Sequence, residues 1–231
     1  MTQRPVQSIA FLLFPGVTQL DLTGPAQVLS RLPGAKIDLV WHSLDPVPTD
    51  AGFSIIPTKR LADLPEPDLI CIPGGMGITD VINDDAALNW VQSAGTNAAW
   101  VTSVCTGALV LGAAGLLKGY RATTHWAWHD HLTLFGAEPV DARTVFDRNR
   151  VTGGGVTAGI DFALALIAKL TDEQTAKTIQ LALEYDPAPP FDAGSPGKAE
   201  EAIIAGYRAR ADRLAPNRVA ELEAAAKRLG F

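Results

Sequence analysis

The sequence predicts an α/β sandwich with a mostly parallel central sheet covered by helices on both faces, plus a C-terminal helical extension. Three observations predict it. Short apolar, β-branched runs alternate with longer runs of helical spacing through residues 8–184. The chain has 231 residues with 47% apolar content, enough to bury one sizeable core. Residues 185–196 carry four prolines in twelve positions, a break that no helix continues through. Strands alternating with helices in this order imply parallel pairing with both sheet faces buried.

The elements follow in order. Residues 8–14, Ser-Ile-Ala-Phe-Leu-Leu-Phe, read as a strand. Residues 22–32 read as a short helix with Pro25 in its first turn, ended by Pro33-Gly34. Residues 36–44 alternate as a strand, and 53–56 form a shorter one. Residues 68–72 are a buried strand stopped by Pro73-Gly74-Gly75. Residues 80–94 have helical spacing through Val81, Ile82, Leu88 and Val91. Residues 99–104 form a strand, and a buried helix opens at Thr106. Residues 121–123 read as a short strand and 126–135 as a helix. Residues 144–146 and 150–152 flank Asp147-Arg148-Asn149 as a hairpin. Helices are expected over 157–170 and 172–184. Residues 199–229 are Ala/Glu/Arg-rich and helical, interrupted at Pro216. Two parts result: an α/β domain over 1–184, and a proline-rich connector with a helical extension of the same domain over 185–231.

Composition narrows the function classes. The net charge of −6 argues against a nucleic-acid surface. Arg208, Arg210, Arg213, Arg218, Lys227 and Arg228 make the tail locally basic, which a solvated helix face explains. No apolar run approaches the roughly 18 residues of a membrane span. The lead-in Met1–Gln7 lacks the pattern of a signal peptide. Cys71 and Cys105 both sit in or at buried strands, which is no disulfide framework and fits a reducing, cytoplasmic setting.

In open α/β sheets the site lies at the carboxyl ends of the strands. Four strand ends here carry suggestive residues: Asp21, Pro73-Gly74-Gly75, Cys105 and Gly153-Gly154-Gly155. Cys105 stands where a strand becomes a helix, so its sulfur is a candidate nucleophile activated by first-turn N–H groups and the helix dipole. The alternative is a buried small hydrophobe, which most free cysteines are. A carboxyl beside a thiolate stays protonated because two anions oppose each other, and it can then shuttle a proton. Asp21 could serve so, although a helix cap is the simpler reading of Asp21 on residues alone. Gly75 and Thr106 could offer backbone N–H groups to an anion, or merely form tight turns. The Thr106 hydroxyl could reach sulfur or Asp21. His125 could approach Cys105 as an auxiliary base. His125, His129 and His131 have no accompanying cysteine or carboxylate cluster, so no metal is expected. Gly75-Met76-Gly77 is not a dinucleotide fingerprint, and Cys71 reads as inert core.

Taken together, these residues resemble the ThiJ/PfpI superfamily, relatives of class I glutamine amidotransferases, over about residues 7–184. The resemblance rests on Val104-Cys-Thr-Gly107, the Pro73-Gly-Gly turn, Thr123-Thr-His125 and the glycine-rich turn before Thr157. Gln19-Leu-Asp-Leu-Thr-Gly-Pro25, Thr102-Ser-Val-Cys-Thr-Gly107, Ala122-Thr-Thr-His-Trp126, Thr152-Gly-Gly-Gly155 and the tail from Leu183 to Pro196 are similar to the branch that hydrates isocyanides. Many members place a glutamate beside the nucleophile, whereas the matching position here is Asp21. The resemblance implies a flavodoxin-like sandwich, Cys105 as nucleophile, Asp21 as acid/base and Thr106 as a supporting hydroxyl. It implies cofactor-independent hydration of an isocyanide to an N-substituted formamide through a cysteine thioimidate. It also implies a homodimer with a small-molecule partner, neither nucleic acid nor membrane. Rival expectations are a glyoxalase or deglycase acting on α-oxoaldehydes, a cysteine redox sensor or chaperone, and the ligand-binding half of a transcription regulator.

Overall fold

A computed structural model of the chain describes residues 5–231. Residues 1–4, part of the lead-in weighed above for a signal peptide, lie outside the described residues. A seven-stranded sheet forms the centre, in the order β10-β11-β7-β6-β1-β2-β5. Its strands are β1 (Ser8–Leu12), β2 (Lys36–Trp41), β5 (Lys59–Arg60), β6 (Leu69–Ile72), β7 (Trp100–Val104), β10 (Thr144–Asp147) and β11 (Arg150–Gly153). Every pairing is parallel except the β10–β11 hairpin. Two small ribbons flank it: β3 (Val47–Pro48) with β4 (Ser54–Ile55), and β8 (Arg121–Ala122) with β9 (Glu138–Pro139).

The helices fall into two groups that pack internally. One holds α1 (Gln19–Leu29), α5 (Ala158–Leu170) and α6 (Glu173–Ala182). The other holds α2 (Ile78–Asn83), α3 (Asp85–Asn97), α4 (Gly107–Ala113), the 3-10 segment Trp126–Phe135, and α8 (Arg218–Leu229). A further helix, α7 (Glu201–Leu214), precedes α8. Phe11, Phe14, Trp100, Phe135 and Phe162 are among the largest fully buried side chains. β1, β6 and β7 are buried throughout or nearly so, which is why they read as continuous apolar runs rather than alternating ones.

Several boundaries differ from the sequence expectation for identifiable reasons. The helix expected over 80–94 is two helices. Asp84 is extended at φ −90° and ψ 100°, and its side chain accepts the Ala87 N–H at 3.0 Å, capping α3 afresh. The segment 126–135 is wound as 3-10 rather than α. The first helix opens three residues early, at Gln19, which moves Asp21 inside its first turn.

The topology settles which loops meet. β11, β7, β6 and β1 are consecutive neighbours in the sheet. The four chemistry-bearing strand ends seen in the sequence therefore lie side by side along one edge.

Candidate active site

Cys105 follows β7 directly and takes φ 54°, in the left-handed region that non-glycine residues rarely adopt. Such a conformation costs on the order of 1–3 kcal/mol and persists only where neighbours over-determine it. Here they do. The Cys105 N–H donates to the Gly154 carbonyl at 2.8 Å and the Gly153 carbonyl at 3.1 Å. Its carbonyl accepts from the Thr124 hydroxyl at 2.7 Å. The next residue, Thr106, caps α4, and Gly107 begins it. A Cβ on Gly107 would overlap the Ile72 carbonyl oxygen, so the turn after the cysteine admits only glycine.

Asp21 is fully buried. It does not cap its own helix: Thr18 holds the cap position, and the Asp21 Oδ2 accepts the Gly74 N–H from the next strand end at 2.9 Å. The Thr18 N–H in turn donates to the Gly74 carbonyl at 2.9 Å, tying the two loops together. Asp21 Oδ1 is buried with no hydrogen-bond partner among the described residues, and the carboxyl interacts with the Cys105 thiol. Gly74 is squeezed between the parts. A Cβ there would come within 2.8 Å of Asp21 Oδ2 and 2.6 Å of the Thr106 backbone nitrogen.

The electrostatics differ from the simple helix-dipole expectation. Burial raises the Asp21 carboxyl to about 7, against the lowering effect of its hydrogen bonds. Burial and the Asp21 charge also push the Cys105 thiol up, only partly opposed by the Thr106 N–H and hydroxyl. The sequence expects first-turn N–H groups and the helix dipole to activate this sulfur by lowering its pKa, and the balance here runs the other way. The α4 N-terminus does help the thiolate, but desolvation and a neighbouring carboxyl outweigh it. Asp21 and Cys105 are coupled: burial and their mutual repulsion hold both protonated more strongly than the free groups.

Thr106 is buried beside both groups. Its hydroxyl accepts the Gly75 N–H at 3.1 Å and so has its own proton free for the Cys105 sulfur. The Gly75 N–H, offered by the sequence to an anion, reaches Thr106 instead. His125 is half-buried, and its Nδ1 accepts the Ala127 N–H at 3.3 Å. Burial lowers its pKa to about 4, so the imidazole is neutral and a weak base. Cys71 lies within β6, fully buried, with its thiol pushed up to about 12 by desolvation. Among the described residues no cluster of His, Cys, Asp or Glu could hold a metal ion, and no helix is long and apolar enough to cross a membrane.

Gly74 lies in the Pro73-Gly74-Gly75 turn that the sequence singles out, and its N–H goes to Asp21. Thr124 lies in the Thr123-Thr-His125 motif, but its bond to the Cys105 carbonyl is a tertiary contact that the motif does not reveal. Sequence reasoning missed Tyr207 and Arg218, which come from the tail read as a solvated face. Arg218 is in fact buried, 5% exposed, and donates to the Met76 carbonyl at 2.8 Å. Tyr207 stacks on His125 at 5.6 Å between ring centroids. An open cavity of about 760 Å³ adjoins this region, lined in part by Thr124, His125, Gly154 and Arg208.

A strained cysteine at a strand–helix elbow, beside a buried carboxyl at the carboxyl edge of a parallel sheet, defines a cysteine-centred α/β protein. The chain belongs to the DJ-1/PfpI family, which it matches over residues 7–169. It is 52% identical over 223 residues to an isonitrile hydratase of Pseudomonas putida, spanning 96% of this chain and 98% of that one. A crystal structure of a ThiJ/PfpI family protein from Pseudomonas syringae superimposes with a TM-score of 0.88 at 44% identity, covering 100% of this chain and 93% of that one. The HTH-type transcriptional regulator GbdR of Pseudomonas aeruginosa is 28% identical over 79% of this chain, but the match spans only 52% of the regulator.

Proposed function

We propose that this chain hydrates an isocyanide to an N-substituted formamide, with Cys105 as nucleophile and Asp21 as the proton carrier. The observation that supports this most is the buried Asp21 carboxyl, held up to about 7 beside the Cys105 thiol. A general acid–base works best with a pKa near the working pH. The near full-length similarity to an isonitrile hydratase supports the substrate class.

The cycle balances without any other reactant than water. The pair starts with one proton between sulfur and carboxyl. In the tautomer with the proton on Asp21, the thiolate attacks the terminal carbon of R–N≡C. Asp21 gives its proton to that carbon, and a C–S and a C–H bond form, leaving the thioimidate R–N=CH–S–Cys105. Asp21, now a carboxylate, takes one proton from water as the oxygen adds to the same carbon. The remaining water proton moves to nitrogen as C=O forms and C–S breaks. The products are R–NH–CHO, the Cys105 thiolate and protonated Asp21. No cofactor is written because Cys105, Asp21 and water carry every proton and electron pair.

Thr106 supports the thiolate with its N–H and hydroxyl. His125 is assigned no proton step, since its burial leaves it a poor base. We read residues 185–231 as an extension of the same domain, because α8 packs on α2, α4 and the 3-10 segment. The two unpaired cysteines support a cytoplasmic setting. The family resemblance supports a homodimer, which sedimentation would test.

The deciding experiment incubates the purified protein with a simple alkyl isocyanide and follows the formamide by mass spectrometry. Stoichiometric formamide is expected. Consumption of methylglyoxal with the isocyanide untouched would replace this reading by a deglycase.

A further inference from the structure

One residue grips both ends of the turn that holds the reacting cysteine. The turn is residues 154–157, between β11 and α5. Gly153 is fixed by the sheet, paired with Thr144 on one side and Val104 on the other. Gly154 lies past the last pair, so its place depends on what it bonds outside the ladder. Its N–H donates to the Arg143 carbonyl at 3.0 Å, and its carbonyl accepts the Cys105 N–H at 2.8 Å. Two backbone hydrogen bonds in series therefore join Arg143 to the cysteine.

The Arg143 side chain takes the other end. Its guanidinium donates to the Thr157 hydroxyl at 3.0 Å and, through Nε, to Asp161 Oδ2. Thr157 holds the cap position of α5 and spends no side-chain bond on capping, and Asp161 lies in that helix's first turn. The Tyr185 hydroxyl donates to the other Asp161 oxygen at 2.9 Å, so both carboxylate oxygens are held. The network is no stability device: the Arg143 side chain is 55% exposed and that of Asp161 32%, and exposed ion pairs add little to folding. α5 itself is anchored by Phe162, Ala163, Leu166 and Ile167, all buried in the core. What the network constrains is the turn between.

We infer that Arg143 is a positioning residue for Cys105: its carbonyl and its guanidinium together brace residues 154–157, and that brace keeps the Gly154 carbonyl where the strained cysteine needs it. Cys105, at φ 54°, is held only as firmly as its neighbours hold it. Of the two carbonyls that accept its N–H, that of Gly153 belongs to the sheet and that of Gly154 to the turn. With the brace cut, the turn gains freedom, the Gly154 bond weakens, and the sulfur drifts from its place beside Asp21. A displacement of about 1 Å at a reacting group can cost about a hundredfold in rate. Cys105 is only 7% exposed, so a loosened turn also opens the sulfur to reagents that the closed one shuts out. The inference rests on the reading of Cys105 as the nucleophile but not on which substrate it attacks.

The test separates the position of the sulfur from its reactivity. Turnover of an alkyl isocyanide and alkylation of Cys105 by iodoacetamide are measured in parallel, in a Cys71→Ala background. Arg143→Gln should lower kcat about tenfold with KM within about twofold, and should speed alkylation about threefold or more. Its melting temperature should stay within about 4 °C of the parent. Arg143→Lys keeps the charge for Asp161 but lacks the fork that also holds Thr157, so its kcat loss should be smaller, about threefold. Tyr185→Phe removes one hydroxyl from Asp161 and should cost less again. Alkylation no faster than the parent's, with or without a loss of kcat, would overturn the inference. Faster alkylation at unchanged kcat would do the same, and a melting temperature lowered by about 10 °C or more would make the residue structural. A raised KM with kcat unmoved would overturn it too, by assigning Arg143 to binding in the cavity it also lines. Should Arg143→Gln not fold, Arg143→Lys decides: alkylation no faster than the parent's overturns the inference. If no isocyanide is turned over, alkylation still reads the brace, so failure of the hydratase reading and failure of this one are distinguishable.

Discussion

Cys71 stands within β6 and Cys105 just past the end of its neighbour β7, three residues further along in register, and they differ little in burial: 0% against 7% exposed. Each thiol has a threonine for a neighbour, Thr102 for Cys71 and Thr106 for Cys105. What separates them is backbone and company. Cys71 is locked in a strand whose polar groups are spent on the ladder. Cys105 is twisted into a left-handed turn at the strand's end, where N–H groups emerge unpaired and a buried carboxyl from another strand end arrives. Burial raises both thiols, so exposure does not make one reactive. In the proposed cycle a proton partner does: Asp21 takes up and returns the proton that Cys105 sheds, and among the described residues Cys71 has no carboxyl hydrogen-bonded to it.

The comparison breaks most easily at the sulfurs themselves. Cys105→Ala should abolish isocyanide turnover, because no other nucleophile stands at the elbow. Cys71→Ala should turn over near the wild-type rate and lose on the order of 1 kcal/mol of stability through a small cavity. Steady-state rates with chemical denaturation of both variants check this. Comparable activity in Cys105→Ala would end the covalent mechanism.

The proton partner comes next. Asp21→Asn keeps the shape but cannot cycle a proton, so turnover should fall by about 10²–10⁴-fold. Asp21→Glu keeps the proton but extends into the Gly74–Thr106 junction, where a Cβ on Gly74 already has no room. A smaller, partial loss is expected. The same substitution sharpens the electrostatics. Asp21 has its pKa raised from an ordinary carboxyl value to about 7 in the folded state. Below about 4 both states are protonated and the shift has no effect. Between about 4 and 7 the unfolded chain releases this proton while the folded one keeps it, so folding stability falls as pH rises. Asp21→Asn lacks that slope. Its stability relative to wild type should rise from pH 4 to pH 7, by roughly 4 kcal/mol at the upper limit. Urea denaturation at a series of pH values measures it, and a parallel pair of curves would mean that Asp21 is not held protonated.

Much of this site is legible in the sequence. Apolar runs located β1, β6 and β7, the hairpin pattern around Asp147-Arg148-Asn149 located β11, and the residues just past these strands were the ones that meet, because parallel strands deliver their ends to one edge. The conformation of the pieces was less legible. Nothing local marks the start of α1 at Gln19, since Thr18 makes no side-chain cap bond, so Asp21 read as a cap. The split between α2 and α3 depends on Asp84 capturing Ala87, a choice that Asn83-Asp84-Asp85 permits but does not compel. Arg218 was the least legible. Its burial follows from the reversal at residues 215–217 that lays α8 on α2 and α4, a tertiary event. In the linear chain it is one more arginine in a basic helix.

The finest distinction lies in the two threonines. Thr102 and Thr106 are one helical turn's count apart, both buried, and each hydroxyl touches a thiol. The Thr102 hydroxyl donates to the Ile70 carbonyl at 2.9 Å, so it is committed to the backbone beside Cys71. The Thr106 hydroxyl accepts the Gly75 N–H, which leaves its proton for the Cys105 sulfur. Replacing each by valine removes the hydroxyl and keeps the shape. Thr102→Val removes one hydrogen bond to a carbonyl of the ladder strand β6 and should cost about 0.5–1.5 kcal/mol of stability with little change in rate. Thr106→Val strands the Gly75 N–H, at a cost of about 1–3 kcal/mol, and also deprives the thiolate of a donor. That variant alone should lose rate, by about tenfold, a net hydrogen bond to a charged group being worth roughly 1.5 kcal/mol or more. Denaturation and kcat/KM measured on both variants separate the two effects. Equal rate losses would mean that the hydroxyls act only through packing, and that the difference between the two cysteines rests on Asp21 and the backbone turn alone.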